Sequence, residues 1–339
     1  MSKKISIAID AMGGDNSPDK TIEGIKLFIE KNKNKDDFLL NIFGRKEIIK
    51  EKIAKYKVLA DNINIINTEG IVSNEETPLT AIKNSKNTSM WKCIQHQIEG
   101  KSDISLSAGN TGVLLVISRM ILKMIDQVSK PALAGLWPNE KGMNVVLDLG
   151  ANIECNDQNL VDFAELGSAL YKSLYPEGKP LVSLLNIGSE EIKGTETLRT
   201  ASTRLKKLSN SDNFIYNGYL EGNEIMSGKS NVIITDGFTG NVALKTAEGT
   251  AKFITKNLKK SLTKLSLIFS YFSLKGFKQK LDPRKYNGAI FLGLNGPVVK
   301  SHGGTDSLGF YYSIDLCYKI VKGNLMTQIK SNLTHSKSD

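Results

Sequence analysis

The sequence predicts a three-layer α/β/α fold of the Rossmann-like kind, built on a mostly parallel sheet. Three observations predict it. Short apolar runs alternate with longer stretches of helical periodicity; the runs are short enough for strands, and strands separated by helices give parallel sheets covered on both faces. Nearly every run ends in glycine, asparagine, aspartate or serine. No fixed-period repeat or low-complexity tract breaks the alternation.

Ile5–Asp10 reads as the first strand and runs into a turn-rich loop, Ala11–Pro18. Thr21–Lys31 follows as a helix, with apolar residues at Ile22, Ile25, Leu27, Phe28 and Ile29. Further strands are expected at Phe38–Phe43, Ile63–Asn67, Ile104–Ser107, Val145–Leu149, Leu181–Asn186 and Val232–Thr235. Helices are expected between them at Glu47–Leu59, Met90–Glu99, Gly112–Met124, Leu160–Tyr175, Thr195–Leu208 and Asn241–Lys260. The chain reads as one catalytic domain over residues 1–332, with a helical insertion at about 251–285 that faces a membrane or a dimer mate. Residues 333–339 are polar and are expected to form a disordered tail.

The bulk numbers narrow the function. The chain has 339 residues, 40% of them apolar, which is ample for a large core. Net charge is +10, and the excess is nearly all lysine; the arginines are Arg45, Arg119, Arg199, Arg204 and Arg284. Nucleic-acid binding leans on arginine, so no nucleic acid is expected as a partner. Cys93, Cys155 and Cys317 lie far apart and form no CxxC pair, so neither a metal site nor a disulfide framework is expected. A reducing cytoplasm is the natural compartment. No apolar run is long enough to span a bilayer.

The strand-end clusters carry the chemistry: Asp10 with Gly13 and Gly14; Ser107–Gly112; Asp148–Asn152; Asn186–Gly188; Asp236–Asn241. Ligands of open α/β sheets sit beyond the carboxyl ends of the strands, so the five clusters are expected to converge on one site. Glycine admits close approach of the backbone, and successive N–H groups at a helix start cradle an anion. Neither GxxxxGK[ST] nor GxGxxG follows a strand, and GxSxG and HExxH are absent. The chain therefore offers anion cradles without an evident protein nucleophile. That suits a reaction in which the anion itself attacks. Phosphate needs positioning more than deprotonation, and a thiol with a pKa near about 8.5 makes a good leaving group. His302, in the polar loop Lys300–Gly304, is the histidine best placed for a site.

At these residues the sequence resembles the acyl-ACP:phosphate acyltransferase (PlsX) family. The blocks that carry the resemblance are IAIDAMGGD (Ile7–Asp15), SAGNTG (Ser107–Gly112), KPALAGLWP (Lys130–Pro138), DLGAN (Asp148–Asn152), LLNIGSEEIKGT (Leu184–Thr195), TDGFTGNVALK (Thr235–Lys245) and LGLNGPVVKSHG (Leu292–Gly303). They run in family order over nearly the whole chain. The resemblance implies that long-chain acyl-ACP and inorganic phosphate give acyl-phosphate and free acyl carrier protein, a product that feeds glycerol-3-phosphate acylation early in phospholipid synthesis. It also implies a homodimer, a fold similar to phosphotransacetylases and isopropylmalate-type dehydrogenases, and no metal or organic cofactor. A short-chain phosphotransacetylase using acyl-CoA is the nearest alternative enzyme, and a basic membrane- or nucleic-acid-binding protein the alternative of another class.

Residue expectations follow from the motifs and the strand ends. Asp10, Gly13, Gly14, Ser107, Gly109, Asn110, Thr111 and Gly112 bind substrate, with phosphate held by the loop amides around Ser107, Asn110 and Thr111. Asn152 and Asn186 orient the acyl carbonyl or the phosphate, and Lys193 neutralises developing charge. Asp236, Asn241 and Lys245 form the opposing wall. His302 donates to the oxyanion or to the departing sulfur. Ala251–Leu281 has no acidic residue and interleaves lysines with apolar side chains. Leu265, Phe269 and Phe272 there are expected to touch an anionic membrane surface, near a membrane glycerol-3-phosphate acyltransferase partner.

Overall fold

The structure, a computed structural model, describes residues 3–32, 35–56, 62–73, 75–209, 213–261 and 282–335. Its spine is one continuous eleven-stranded sheet. The strands are β1 (Ile5–Asp10), β2 (Phe38–Gly44), β3 (Ile63–Asn67), β4 (Ile104–Ser107), β5 (Ala132–Asn139), β6 (Gly142–Leu147), β7 (Leu181–Asn186), β8 (Ile215–Glu221), β9 (Val232–Ile234), β10 (Ala289–Leu292) and β11 (Val298–Lys300). Their order is β3-β2-β1-β4-β11-β10-β5-β6-β9-β7-β8.

The strands form two parallel blocks. β3, β2, β1, β4 and β11 run one way, and β6, β9, β7 and β8 share the other direction. Between the blocks the pairings β11–β10, β10–β5 and β5–β6 are all antiparallel. Three reversals turn the second block over, so a flat sheet would put its carboxyl ends on the far edge from those of the first. Sheets are not flat. At about 20–25° per neighbouring pair, the six steps from β1 to β9 would accumulate about 120–150° of twist, a rotation that turns the second set of carboxyl ends towards the first.

The side chains show the layers. Along a strand, alternate residues face opposite sides. In β1, Ile7 and Ile9 join the core formed with α1 (Asp19–Lys31) and α9 (Ser307–Lys322), while Ala8 joins Phe43 and Cys93, the last on α4 (Ser89–Ile98). In β6 and β9, Val145, Leu147, Val232 and Ile234 pack with α6 (Asp157–Leu174), whereas Val146 and Ile233 pack with Ala243, Leu244 and Ala247 of α8 (Gly237–Ser261). Helices therefore cover both faces of both blocks. Gly24 lets α1 close on α9; a Cβ there would lie 3.1–3.2 Å from Phe310.

The remaining helices are α2 (Lys46–Ala54), α3 (Pro78–Asn84), α5 (Thr111–Leu122), α7 (Glu196–Leu208) and α10 (Leu325–His335). β5, β8, β10 and β11 were absent from the strands expected from sequence, as were α3, α9 and α10. α10 continues to His335 with Leu333 buried, so the tail expected to fray from residue 333 is helical through 335. Of the expected insertion, residues 251–261 form the exposed end of α8. Leu265, Phe269 and Phe272 lie outside the described residues.

Candidate active site

β1, β4 and β11 are adjacent and parallel, and their ends fall in register: Asp10 pairs with Ser107, and Ser107 with Lys300. One shelf of three polar side chains results. The Ser107 hydroxyl donates to Asp10 Oδ2 at 2.7 Å and accepts from the Gly109 N–H at 3.0 Å. The Met12 N–H donates to the other Asp10 oxygen at 3.1 Å. Lys300 Nζ reaches the carbonyls of Ser301 and Ala108. A second lysine arrives from α1: Lys20, only 4% exposed, donates through Nζ to the Gly303 carbonyl.

Glycine makes this crowding feasible. A Cβ at Gly13 would sit 2.7 Å from the Gly109 nitrogen, and one at Gly14 would sit 2.7 Å from Lys20 Nζ and 2.8 Å from the Ala108 oxygen. Gly14 also has φ +80°, a region side chains disfavour. The loops after β1, β4 and β11 thus touch backbone to backbone, with the side chains of Asp10, Lys20 and Lys300 beneath them.

Burial governs the charges. It raises the Asp10 carboxyl, although Ser107 and the local N–H groups pull the other way. It lowers Lys20, against the charge of Asp15 at the exposed rim. Burial, reinforced by Lys20 and opposed by Asp10, brings Lys300 down to about 8. His302 is lowered by burial and then by Lys300. Its Nδ1 accepts from the Gly304 N–H at 3.1 Å, so the neutral ring carries its proton on Nε2. Asn110 caps α5, accepting from the Val113 N–H at 3.2 Å and donating to the Glu76 carbonyl at 3.3 Å. Thr111 and Gly112 form the first turn of that helix.

The second block supplies a different group. Asp148 is fully buried and accepts from the N–H groups of Leu133, Gly150, Ala151 and Asn152. The Asn152 amide uses both hydrogens, one on Pro131 O at 2.6 Å and one on Asp148 at 2.8 Å. Asn241 donates to Leu149 O at 3.1 Å, and Asn186 to Lys193 O at 3.2 Å. These asparagines build the loops, and among the described residues Asn186 and Asn241 each direct one amide N–H to a loop carbonyl. Asp236 caps α8 through the Thr239 N–H at 2.8 Å. A cleft of about 350 Å³ opens here between Gly150, Asn152, Ile153, Gly237, Phe238, Asn241 and Val242. Lys193 and Lys245 are exposed and paired with Glu190 and Glu248, each at 3.0 Å.

The contacts therefore sort the expected residues into a charged shelf (Asp10, Gly13, Gly14, Ser107, Gly109, with His302 at its rim), an amide cleft (Asn152, Asp236, Asn241) and a flanking loop (Asn186, Lys193). α8 joins them. It begins in the cleft and carries Lys245, Glu248 and Lys252 close enough for their charges to bear on His302. Eight residues of helix, about 12 Å, separate Gly237 from Lys245.

Comparison with known proteins fits this arrangement. The family model described as "Fatty acid synthesis protein" matches residues 5–328. A phosphate acyltransferase of Pelagibacter ubique (strain HTCC1062) is 54% identical over 338 residues, covering 98% of this chain and 100% of the relative. One from Agrobacterium fabrum is 41% identical over 335 residues, covering 97% and 94%. The chain belongs to the phosphate acyltransferase family. In fold, this phosphate acyltransferase resembles a phosphotransacetylase from Streptococcus pyogenes, with TM-score 0.63 at 16% identity over 96% of this chain and 95% of the other. The EutD phosphotransacetylase from Staphylococcus aureus gives 0.60 at 15% identity, over 94% of each chain.

Sequence reasoning did not single out Lys20 and Lys300, which the structure places against the loops of the shelf. Lys20, near the start of a helix, carries the signal of a surface residue. Lys300 carried a usable one: it ends the apolar run Val298–Val299 in register with Ser107.

Proposed function

We propose that this protein transfers a long-chain acyl group from acyl carrier protein to inorganic phosphate. A phosphate oxygen attacks the thioester carbonyl carbon; a C–O bond forms, the C–S bond breaks, and the thiolate leaves and takes up a proton. The observation that carries the reading is the shelf of Asp10, Ser107 and Lys300 beneath three glycine loops, a fixed polar surface for an anion without a protein nucleophile. The amide cleft receives the acyl side, where the spare N–H of Asn241 meets the carbonyl. Ile153, Phe238 and Val242 wall that cleft and are more than half exposed. Such a wall favours a long chain over an acetyl group, and so favours acyl-ACP over the short-chain acyl-CoA reaction. His302 Nε2–H is the proton donor we assign to the departing sulfur.

The amphiphilic product would feed glycerol-3-phosphate acylation in phospholipid synthesis. The bare outer half of α8, with Phe253 and Ile254 exposed, suits a homodimer, and the lysine-rich stretch beyond it suits peripheral contact with an anionic membrane on the cytoplasmic side. Among the described residues no helix is long and apolar enough to cross a membrane.

The test is phosphate-dependent release of carrier protein from palmitoyl-ACP, with acyl-phosphate trapped by hydroxylamine. Hydroxamate that forms only with phosphate is the expected result. Release without phosphate would mean a thioesterase, and turnover of acetyl-CoA alone would mean the short-chain enzyme.

A further inference from the structure

We propose that Lys20 and Lys300 are the ligands of the attacking phosphate, gripping it beneath the glycine loops that follow β1, β4 and β11. This rests on the acyl-transfer reading above and gives its phosphate a place. Two ammonium groups lie under one set of loops, and the hydrogen bonds that place them run to main-chain carbonyls: Gly303 for Lys20, Ala108 and Ser301 for Lys300. Neutral carbonyls orient a cation without cancelling its charge. The buried carboxylate, Asp10, already accepts from the Ser107 hydroxyl and the Met12 N–H.

Both ammoniums lie against the same loop contact. A Cβ built on Gly14 would meet Lys20 Nζ at 2.7 Å and the Ala108 carbonyl at 2.8 Å, and that carbonyl is the one Lys300 approaches at 3.5 Å. Lys20 also weakens the hold of Lys300 on its proton, a repulsion that a bound dianion relieves. Lysine serves here as a point charge and keeps further N–H donors for phosphate oxygens. Lys193 and Lys245 differ on every count, being exposed and already paired with glutamates.

The same tetrahedral chemistry could come from the phosphodiester of the donor's pantetheine arm, and kinetics separate the two sources. Initial rates of hydroxamate formation would be measured against inorganic phosphate and against palmitoyl-ACP for the full chain and for Lys20→Met, Lys300→Met and Lys300→Arg. The Met variants should raise KM for phosphate by about tenfold or more, the loss expected for a hydrogen bond to a charged group. KM for the donor should stay within about twofold, and Lys300→Arg should recover part of the loss. Unchanged KM for phosphate in both Met variants would overturn the assignment, as would a rise confined to the donor.

If the Met variants do not fold, amidination of the unmodified protein decides. Inorganic phosphate should slow labelling of Lys20 and Lys300 but not of Lys193 and Lys245; equal slowing everywhere, or none, refutes the proposal. A wild-type protein that makes no acyl-phosphate would instead remove the acyl-transfer reading itself.

Discussion

The charged shelf and the amide cleft solve opposite problems. The shelf buries Asp10, Lys20 and Ser107 among glycine loops that touch backbone to backbone. The cleft braces its loops with the buried carboxylate of Asp148 and with asparagine amides, and leaves Ile153 at 78% and Phe238 at 64% exposure. A small dianion needs fixed charge and little room, whereas a long acyl chain needs an apolar wall that is open before it binds. Placing the two at the ends of oppositely directed strand blocks lets each be built from its own loops. α8 links them, carrying Lys245, Glu248 and Lys252 close enough for their charges to bear on His302.

The largest test of that contrast is a pair of glycines. Gly240 presses on backbone: a Cβ there would fall deep inside van der Waals contact of the Asp148 carbonyl oxygen. At Gly13 the overlap is smaller: a Cβ there would lie 2.7 Å from the Gly109 nitrogen and 2.7 Å from Asp10 Oδ2. Gly240→Ala should cost about 3 kcal/mol of unfolding free energy or more, at the upper end of overpacking effects, read from urea denaturation. Gly13→Ala should cost less stability and instead raise KM for phosphate. Similar stability losses in both would mean that shelf and cleft are equally rigid.

Phe238→Asp sharpens the cleft side. Burying a phenylalanine is worth about 1.5–3 kcal/mol, so kcat/KM for palmitoyl-ACP should fall by about ten- to a hundredfold. A donor too short to reach the wall should lose little. Equal losses for both donors would place the acyl chain elsewhere.

The parts legible in the sequence follow this division. Strands buried on both faces, such as β1, β4 and β7, were readable as apolar runs ending in a polar cluster. The antiparallel centre was not. β5 contains Gly135 and Pro138, and β10 and β11 are four and three residues long, too short for any periodicity. Missing that centre hid the three reversals, so five strand-end clusters looked like one edge. Glycine loops were legible because few other residues tolerate such approach. Lys20 was not, because its burial depends on Gly303, nearly three hundred residues away, and lysine composition alone speaks for the surface.

The shelf has its own signature in pH. Lys300 has its pKa brought down to about 8 by burial and by Lys20, so it carries charge below that pH and loses it above. KM for phosphate should be flat from pH 7 to 8 and climb by up to about tenfold per unit beyond. The same shift has a stability consequence. Between about 8 and the ordinary lysine value near 10.5 the unfolded chain holds a proton that the folded chain has lost, so this group's contribution to stability rises with pH there. Lys300→Met should remove both dependences.

The smallest effect asks what covers the outer half of α8. A Cβ added at Gly249 meets nothing within 4 Å, and residues 250–258 are exposed. In an exposed helix interior, glycine to alanine stabilises by about 0.5–1 kcal/mol, since it removes backbone freedom from the unfolded chain. Gly249→Ala should therefore raise the denaturation midpoint if this face meets only solvent. A second copy packed here would meet the new methyl group, and the gain would shrink or reverse while the dimer weakened on dilution. Denaturation at two protein concentrations separates the cases: a concentration-independent gain leaves α8 bare, and a concentration-dependent loss makes its outer face the dimer contact.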